Sequence, residues 1–208
     1  MNKKILLING SPNEHGCTYT ALKEVADTLE KNGIAAEFLY LGKKPIAGCI
    51  ACGHCSTAHT CVFDDKVNEL LANIDTYDGI VVGSPVYYAG PAGQLCAFLD
   101  RLFYSGSCRM RGKLAAAVVS CRRAGSSAAL DRLTKYFTIS NMNVVGSQYW
   151  NMVHGSCPED VRQDAEGLQT MRALAENMAW LLRNLEAGEK AAVAPPEKER
   201  RMWTNFIR

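Results

Sequence analysis

Short apolar runs alternate with amphipathic helical periods along most of this chain, and no other feature limits its possible folds so sharply. Lys4–Asn9 is one such run, stopped by Gly10-Ser11-Pro12, as expected of a strand buried on both faces. Thr18–Asn32 follows with apolar residues at Ala21, Leu22, Val25, Ala26 and Leu29, and Gly33 suits its C-terminal cap. Ile34–Leu41 reads as a second strand, Gly79–Gly83 as a third, Lys113–Ser120 as a fourth, and Asn143–Gly146 begins a fifth. Helices are predicted over Asp64–Thr76, Ala92–Tyr104 and Ser126–Phe137, with Asp64 and Asp65 suited to the positive end of the first. A longer helix, Asp160–Glu186, repeats Val161, Ala165, Leu168, Met171, Ala175 and Met178 at intervals of three and four, with Pro158 near its first turn. Strands separated by helices pair in parallel, with helices on both faces. The expectation is an α/β fold with a doubly wound, five-stranded parallel sheet in the order 2-1-3-4-5. Its ligand belongs at the carboxyl ends of the strands, where the first and third diverge. Residues 1–187 form the predicted domain, with a loop insert over 42–61 and a C-terminal arm over 188–208.

That insert holds four cysteines in thirteen residues, Cys49, Cys52, Cys55 and Cys61, spaced C-x2-C-x2-C-x5-C. Thiolates this close can wrap one compact centre, and an iron–sulfur cubane takes one thiolate per iron. A zinc ribbon more often splits its ligands into two distant C-x2-C pairs. Reduced loop thiols with no ligand are the third reading. His54 and His59 lie in the same loop as alternative ligands or as solvated side chains, and Cys96, Cys108, Cys121 and Cys157 read as small packing residues.

The 208 residues suit one domain, and a net charge of +2 speaks against a nucleic-acid partner despite Arg200-Arg201. No apolar run is long enough to span a membrane. The run after Lys3-Lys4 stops within four residues, too short for a secretory leader. Nine cysteines without a leader point to a reducing cytoplasm, where clustered thiols bind metal or do redox chemistry.

Three loops should carry the chemistry. The first, Gly10 to Thr20, joins strand one to helix one; its amides suit a phosphate, and Ser11, Thr18 and Thr20 add hydroxyls. It has neither the ATPase loop pattern nor the G-x-G-x-x-G dinucleotide pattern. The second, Gly83 to Gly93, sets Tyr87 and Tyr88 between glycines and prolines, a rigid surface for a planar heterocycle. The third, Ser120 to Ser127, presents Arg122 and Arg123, either solvated or meeting a ring carbonyl, a ribityl hydroxyl or a nucleotide phosphate.

Gly-Ser-Pro-Asn with Gly-Cys-Thr, then Gly-Ser-Pro-Val-Tyr-Tyr-Ala-Gly with Gln94-Leu95 and Phe98-Leu99-Asp100-Arg101, resembles the NADPH-dependent FMN reductase family of flavodoxin-like proteins. The cysteine quartet is similar to that of its iron–sulfur flavoprotein branch. The resemblance implies FMN phosphate held by Ser11, Asn13, Cys17 and Thr18. It sets the isoalloxazine against Pro85, Val86, Tyr87 and Tyr88, with the Ser120–Gly125 loop beside the ring. Cys17 stands where the family usually shows Asn.

The function expected is an FMN-dependent oxidoreductase that takes hydride from NAD(P)H and reduces a quinone, a flavin or an electron-transfer partner, through a [4Fe-4S] cluster at the quartet if one is bound. No Ser/His/Asp or paired-carboxylate constellation is needed for such chemistry. The rivals are a non-enzymatic electron carrier, usually strongly acidic where this chain is near neutral, and a metal or redox sensor with zinc at the quartet. His154, with Trp150 and Asn151, is placed near the flavin edge. Trp203, Phe206 and Ile207 in the arm are expected to pack on a second subunit, and the family resemblance implies a homodimer or homotetramer.

Overall fold

Lys4–Asn9 forms β1, and its pleat sends Leu6 and Ile8 to one face of a sheet and Ile5 and Leu7 to the other. The computed structural model describes residues 3–197, together with 199, 200, 202 and 204. Trp203, Phe206 and Ile207 lie outside the described residues. After β1 come α1 (Cys17–Lys31), β2 (Ala35–Tyr40), α2 (Cys55–Ala58), α3 (Lys66–Asn73), β3 (Gly79–Tyr87), β4 (Gly90–Pro91) and α4 (Gly93–Met110). The chain continues through β5 (Leu114–Cys121), α5 (Ser126–Ile139), β6 (Asn143–Val144), β7 (Met152–His154), α6 (Pro158–Gln163) and α7 (Ala165–Lys190).

The parallel strands run β2-β1-β3-β5-β6, the expected doubly wound order once the short antiparallel β4 is set aside. One core lies between the sheet and α3, α4 and α5, built from Leu71, Ile80, Phe98, Leu102 and Phe137. The other lies under α1 and α7, where Leu22, Val25 and Leu29 meet Leu174 and Met178. Each such fully buried aliphatic side chain contributes roughly 1.5–3 kcal/mol.

The sheet departs from the pattern in two places. The third strand runs to Tyr87, not Gly83. Pro85 stays in register with Ser120, at a ladder end where a missing N–H is tolerated, and Val86 and Tyr87 then fold back on Pro91 and Gly90. The fifth strand is broken: Asn143 and Val144 pair with Leu114 and Ala115, and pairing with β5 resumes only at Met152–His154.

The long helix is also broken, at Asp164. Its carboxylate accepts from the His154 N–H at 2.7 Å and the Gly167 N–H at 2.9 Å, capping α7 and tying it to β7. Beyond the break α7 continues through Gly188 to Lys190, so the expected arm boundary falls inside a helix. The cysteine insert carries one helical turn, α2, that period alone did not indicate.

Candidate functional site

Asn9, buried at the end of β1, organises the first loop. Its Nδ2 donates to the Glu14 carbonyl (2.9 Å) and its Oδ1 accepts from the Ser11 N–H (3.1 Å). Ser11 Oγ then accepts from the Asn13 N–H (3.1 Å), and the Asn13 carbonyl from the Gly16 N–H (3.2 Å). The loop therefore arrives at α1 in one fixed shape. Gly16 supplies no side-chain cap and the first turn holds no acid, which leaves the leading N–H groups for an external anion.

The hydroxyls and thiol of this loop turn inward. Thr18 Oγ1 and Ser120 Oγ are buried and hydrogen-bonded to each other at 2.9 Å, locking α1 to β5. Thr20 Oγ1 donates to the Gly16 carbonyl at 3.2 Å. Cys17 Sγ donates to the Gly155 carbonyl at 3.7 Å, and burial pushes its thiol up, with Cys157, Asp160 and Glu159 adding to the rise. Cys17 thus offers an anion its backbone N–H and an uncharged side chain.

The second loop is a β-hairpin whose tip, Tyr88 and Ala89, has φ of 50° and 59°. Two positive φ values suit a type I′ turn, a place where Gly or Asn is usual. Neither tip residue is a glycine, and left-handed backbone costs each about 1–2 kcal/mol. The strain holds Tyr88 fully in solvent and leaves Tyr87 half-exposed. The third loop leans on this hairpin: a Cβ on Gly125, whose φ is +87°, would lie 2.8 Å from the Ala89 Cα. The first joins through the Gly10 N–H, which donates to the Gly83 carbonyl at 2.9 Å. A Cβ on Gly83 would sit 2.7 Å from Leu22 Cδ1 and 2.9 Å from Thr18 Cγ2, so glycine there lets α1 approach the sheet.

The three loops therefore meet at one sheet edge. Arg122 and Arg123 are exposed beside them. Tyr149 and Trp150, their rings 5.0 Å apart, line a cleft of about 380 Å³ with His154 and Ser126. Asn151 is buried behind them, and its Oδ1 has no partner among the described residues.

The second centre lies in the insert. Cys49, Cys52, Cys55 and Cys61 are free and line one cavity of about 330 Å³ with Phe63, Arg101 and Tyr104. Left-handed residues Ala51, Gly53 and His59 curl the loop, and His54 and His59 are exposed. Among the described residues, no three His, Cys, Asp or Glu side chains converge closely enough to hold a single metal ion. Cys61 is the best-anchored ligand candidate. Asn68 clamps its backbone on both sides, accepting from its N–H at 2.8 Å and donating to its carbonyl at 2.9 Å. Arg101, only 1% exposed, donates from Nε to its Sγ at 3.1 Å and pairs with both Asp65 oxygens at 2.7 and 2.8 Å. Burial pushes the Asp65 carboxyl up, but the bonds from Arg101 and from the Val67 N–H outweigh it and hold the group below its ordinary value.

The sequence profile of the NADPH-dependent FMN reductase family matches residues 3–156. The chain belongs to this family. It is 32% identical over 188 residues to an iron–sulfur flavoprotein of Methanocaldococcus jannaschii, covering 86% of this chain and 97% of that protein. Among solved structures it resembles RosB carrying 8-demethyl-8-formylriboflavin-5'-phosphate, with a TM-score of 0.69 at 15% identity over 99% of this chain and 92% of that one. A WrbA-like flavodoxin of Agrobacterium tumefaciens gives 0.61 at 16% identity, over 88% and 99%.

As a member of the FMN reductase family the chain is an FMN-binding flavoprotein oxidoreductase of flavodoxin-like fold. The loops named from sequence, 10–20, 83–93 and 120–127, converge on its sheet edge, while the cysteine cavity stands apart beside α4. Sequence reasoning passed over Asn9 and Asn68; it placed Asp65 at the start of α3, where its side chain does cap the helix, but not as the partner of Arg101. A polar residue closing an apolar strand was the available signal for Asn9. Nothing local marks Asn68 as a clamp.

Proposed function

We propose that this chain uses NAD(P)H as its electron donor and reduces a quinone, a free flavin or an electron-transfer partner. FMN supplies the hydride-accepting chemistry when bound, and a [4Fe-4S] cluster supplies single-electron transfer. The observation that carries the reading is the uncapped start of α1 set beside a strained tyrosine hairpin at one sheet edge. In it the open N–H groups at the start of α1, those of Cys17 and Thr18 among them, hold the phosphate end with the side chains of Ser11 and Asn13, and Thr20 steadies the first turn. Pro85, Val86, Tyr87 and Tyr88 face the ring and keep water from it, and Ser120 and Gly125 back the far side. Arg122 and Arg123 meet the phosphates of the incoming pyridine nucleotide through their guanidiniums. The four cysteines line one cavity, and a cubane would take one thiolate per iron from that lining. Exposed Ile50, Val62, Tyr88 and Tyr104 beside the two centres support a homodimer or homotetramer.

Anaerobic purification with flavin, iron and sulfide quantified together tests both halves. Near-stoichiometric FMN with about four irons and four sulfides per chain is expected, and NADH or NADPH should bleach the flavin. Colourless protein that refuses FMN overturns the reading, and zinc in place of iron and sulfide removes its second half.

A further inference from the structure

Arg101 is the largest fully buried side chain among the described residues, and the proposed FMN-site geometry makes no use of it. A buried guanidinium is costly unless every N–H is matched. Here all its partners lie in the segment that carries the cysteine insert. Asp65 takes two bonds, and the carbonyls of Ala47 (3.2 Å) and Phe63 (3.4 Å) take two more. The Phe63 ring covers the charge, 4.8 Å from its centroid. The remaining donor, Nε–H, goes to the Cys61 sulfur at 3.1 Å. A carboxylate partner alone would have neutralised the charge without reaching a sulfur. With Asn68 fixing the Cys61 backbone, that N–H fixes its side chain, so the sulfur has one position on the wall of the four-cysteine cavity.

We propose that Arg101 is a positioning residue for the centre bound at the cysteine quartet, setting the place of the Cys61 sulfur and raising the reduction potential of that centre. The proposal rests on the iron–sulfur half of the function proposed above. An N–H···S bond draws electron density from a ligating thiolate, and reduction adds negative charge to the cluster, so the bond is stronger in the reduced form. Asp65 offsets much of the guanidinium charge. The two residues should therefore act on the potential with opposite sign.

The test uses the full-length, anaerobically loaded protein and follows the reduced cluster by EPR during a potentiometric titration. Arg101→Lys removes the planar fork and should lower the midpoint by about 59 mV, a tenfold change in the equilibrium constant of a one-electron couple. Asp65→Asn keeps the Nε–H bond, weakens the counter-charge and should raise the midpoint. A role confined to holding the fold together would not split the two variants in this way. Wild-type protein without iron and sulfide sinks the iron–sulfur reading and this inference with it. Loaded variants whose midpoints both match wild type overturn the inference and leave that reading standing. Should Arg101→Lys fail to fold, Asp65→Asn decides alone: a midpoint that does not rise refutes the role.

Discussion

Gly125→Ala probes whether the hairpin and the third loop are a rigid pair. Gly125 sits at φ +87°, and an added Cβ would lie 2.8 Å from the Ala89 Cα and 3.2 Å from Val86 Cγ1. Forcing alanine into the left-handed region costs about 1 kcal/mol or slightly more relative to glycine. The contact is with backbone, which cannot rotate away, and overpacking of this kind costs typically about 1–3 kcal/mol. Together they predict about 2–4 kcal/mol. The chain can absorb this in two ways. If the hairpin holds, the apoprotein loses that stability, read from urea unfolding. If the hairpin yields, Tyr87 and Tyr88 shift, and about 1.4 kcal/mol passed to FMN binding raises its Kd tenfold, read by flavin fluorescence quenching. Gly112→Ala is the control, because its φ is +78° and nothing lies within 4 Å of the new Cβ. It should cost only the φ increment, about 1 kcal/mol. The packing account is refuted if Gly125→Ala matches Gly112→Ala in stability and also leaves FMN affinity within twofold of wild type.

Tyr88→Gly should separate strain from function. It relieves a φ of 50° at a fully exposed side chain, so the apoprotein should gain about 0.5–1 kcal/mol after the entropy cost of glycine. FMN affinity should fall severalfold with the lost aromatic face; a destabilised apoprotein, or an unchanged Kd, contradicts this. Asp65→Asn leaves the Arg101 charge without its carboxylate, a loss of about 3–5 kcal/mol for a buried pair. Asp65 is a third exposed, so the lower end applies, with a Tm fall of roughly 6–12 °C. Because the folded carboxyl lies below its ordinary 3.8, its contribution is complete above about pH 4 and drains away as pH falls through the folded value. Acid titration of unfolding should show that slope in wild type and a weaker one in Asp65→Asn.

The strands and helices were legible because burial writes its period into the chain: Ile5 to Ile8 are apolar at every step, and Val67, Leu70 and Leu71 mark one face of α3. What escaped reading is tertiary. Ser84 and Pro85 look like punctuation, yet the buried Ser84 Oγ accepts from the Ala92 N–H at 2.9 Å and holds the strand extended past them. The helix break at Asp164 depends on the His154 N–H, ten residues away, which no helical period records. The loops of the proposed FMN site were legible as loops, because Gly, Pro, Ser and Tyr clusters after apolar runs have few other uses. The direction of each side chain was not. Thr18 reads as a phosphate donor and is spent on Ser120, 102 residues along the chain. Arg101 entered the sequence reading only through a family pattern, since its partner Asp65 is 36 residues away.

One helix links both proposed centres. Its start is set by the hairpin, through Ser84 and the Ala92 N–H. One residue into α4, the Gln94 Nε2 donates to the Gly42 carbonyl at 2.8 Å and clips the first residue of the cysteine insert. About 10 Å farther along, at 1.5 Å per residue, Arg101 clips its far end through Cys61, Phe63 and Asp65 and also holds the Ala47 carbonyl ahead of the thiols. Between those clips the insert has one helical turn and few buried side chains, so little else offsets the roughly 1–2 kcal/mol per residue of backbone entropy that ordering it requires. The insert is thus held in shape by α4, and α4 takes its position from the hairpin that faces the flavin ring in the proposed site. A shift of that hairpin moves the first clip before the second. The thiols at 49–55, which lie between the clips and lack the anchors of Cys61, would be the first to lose their common cavity.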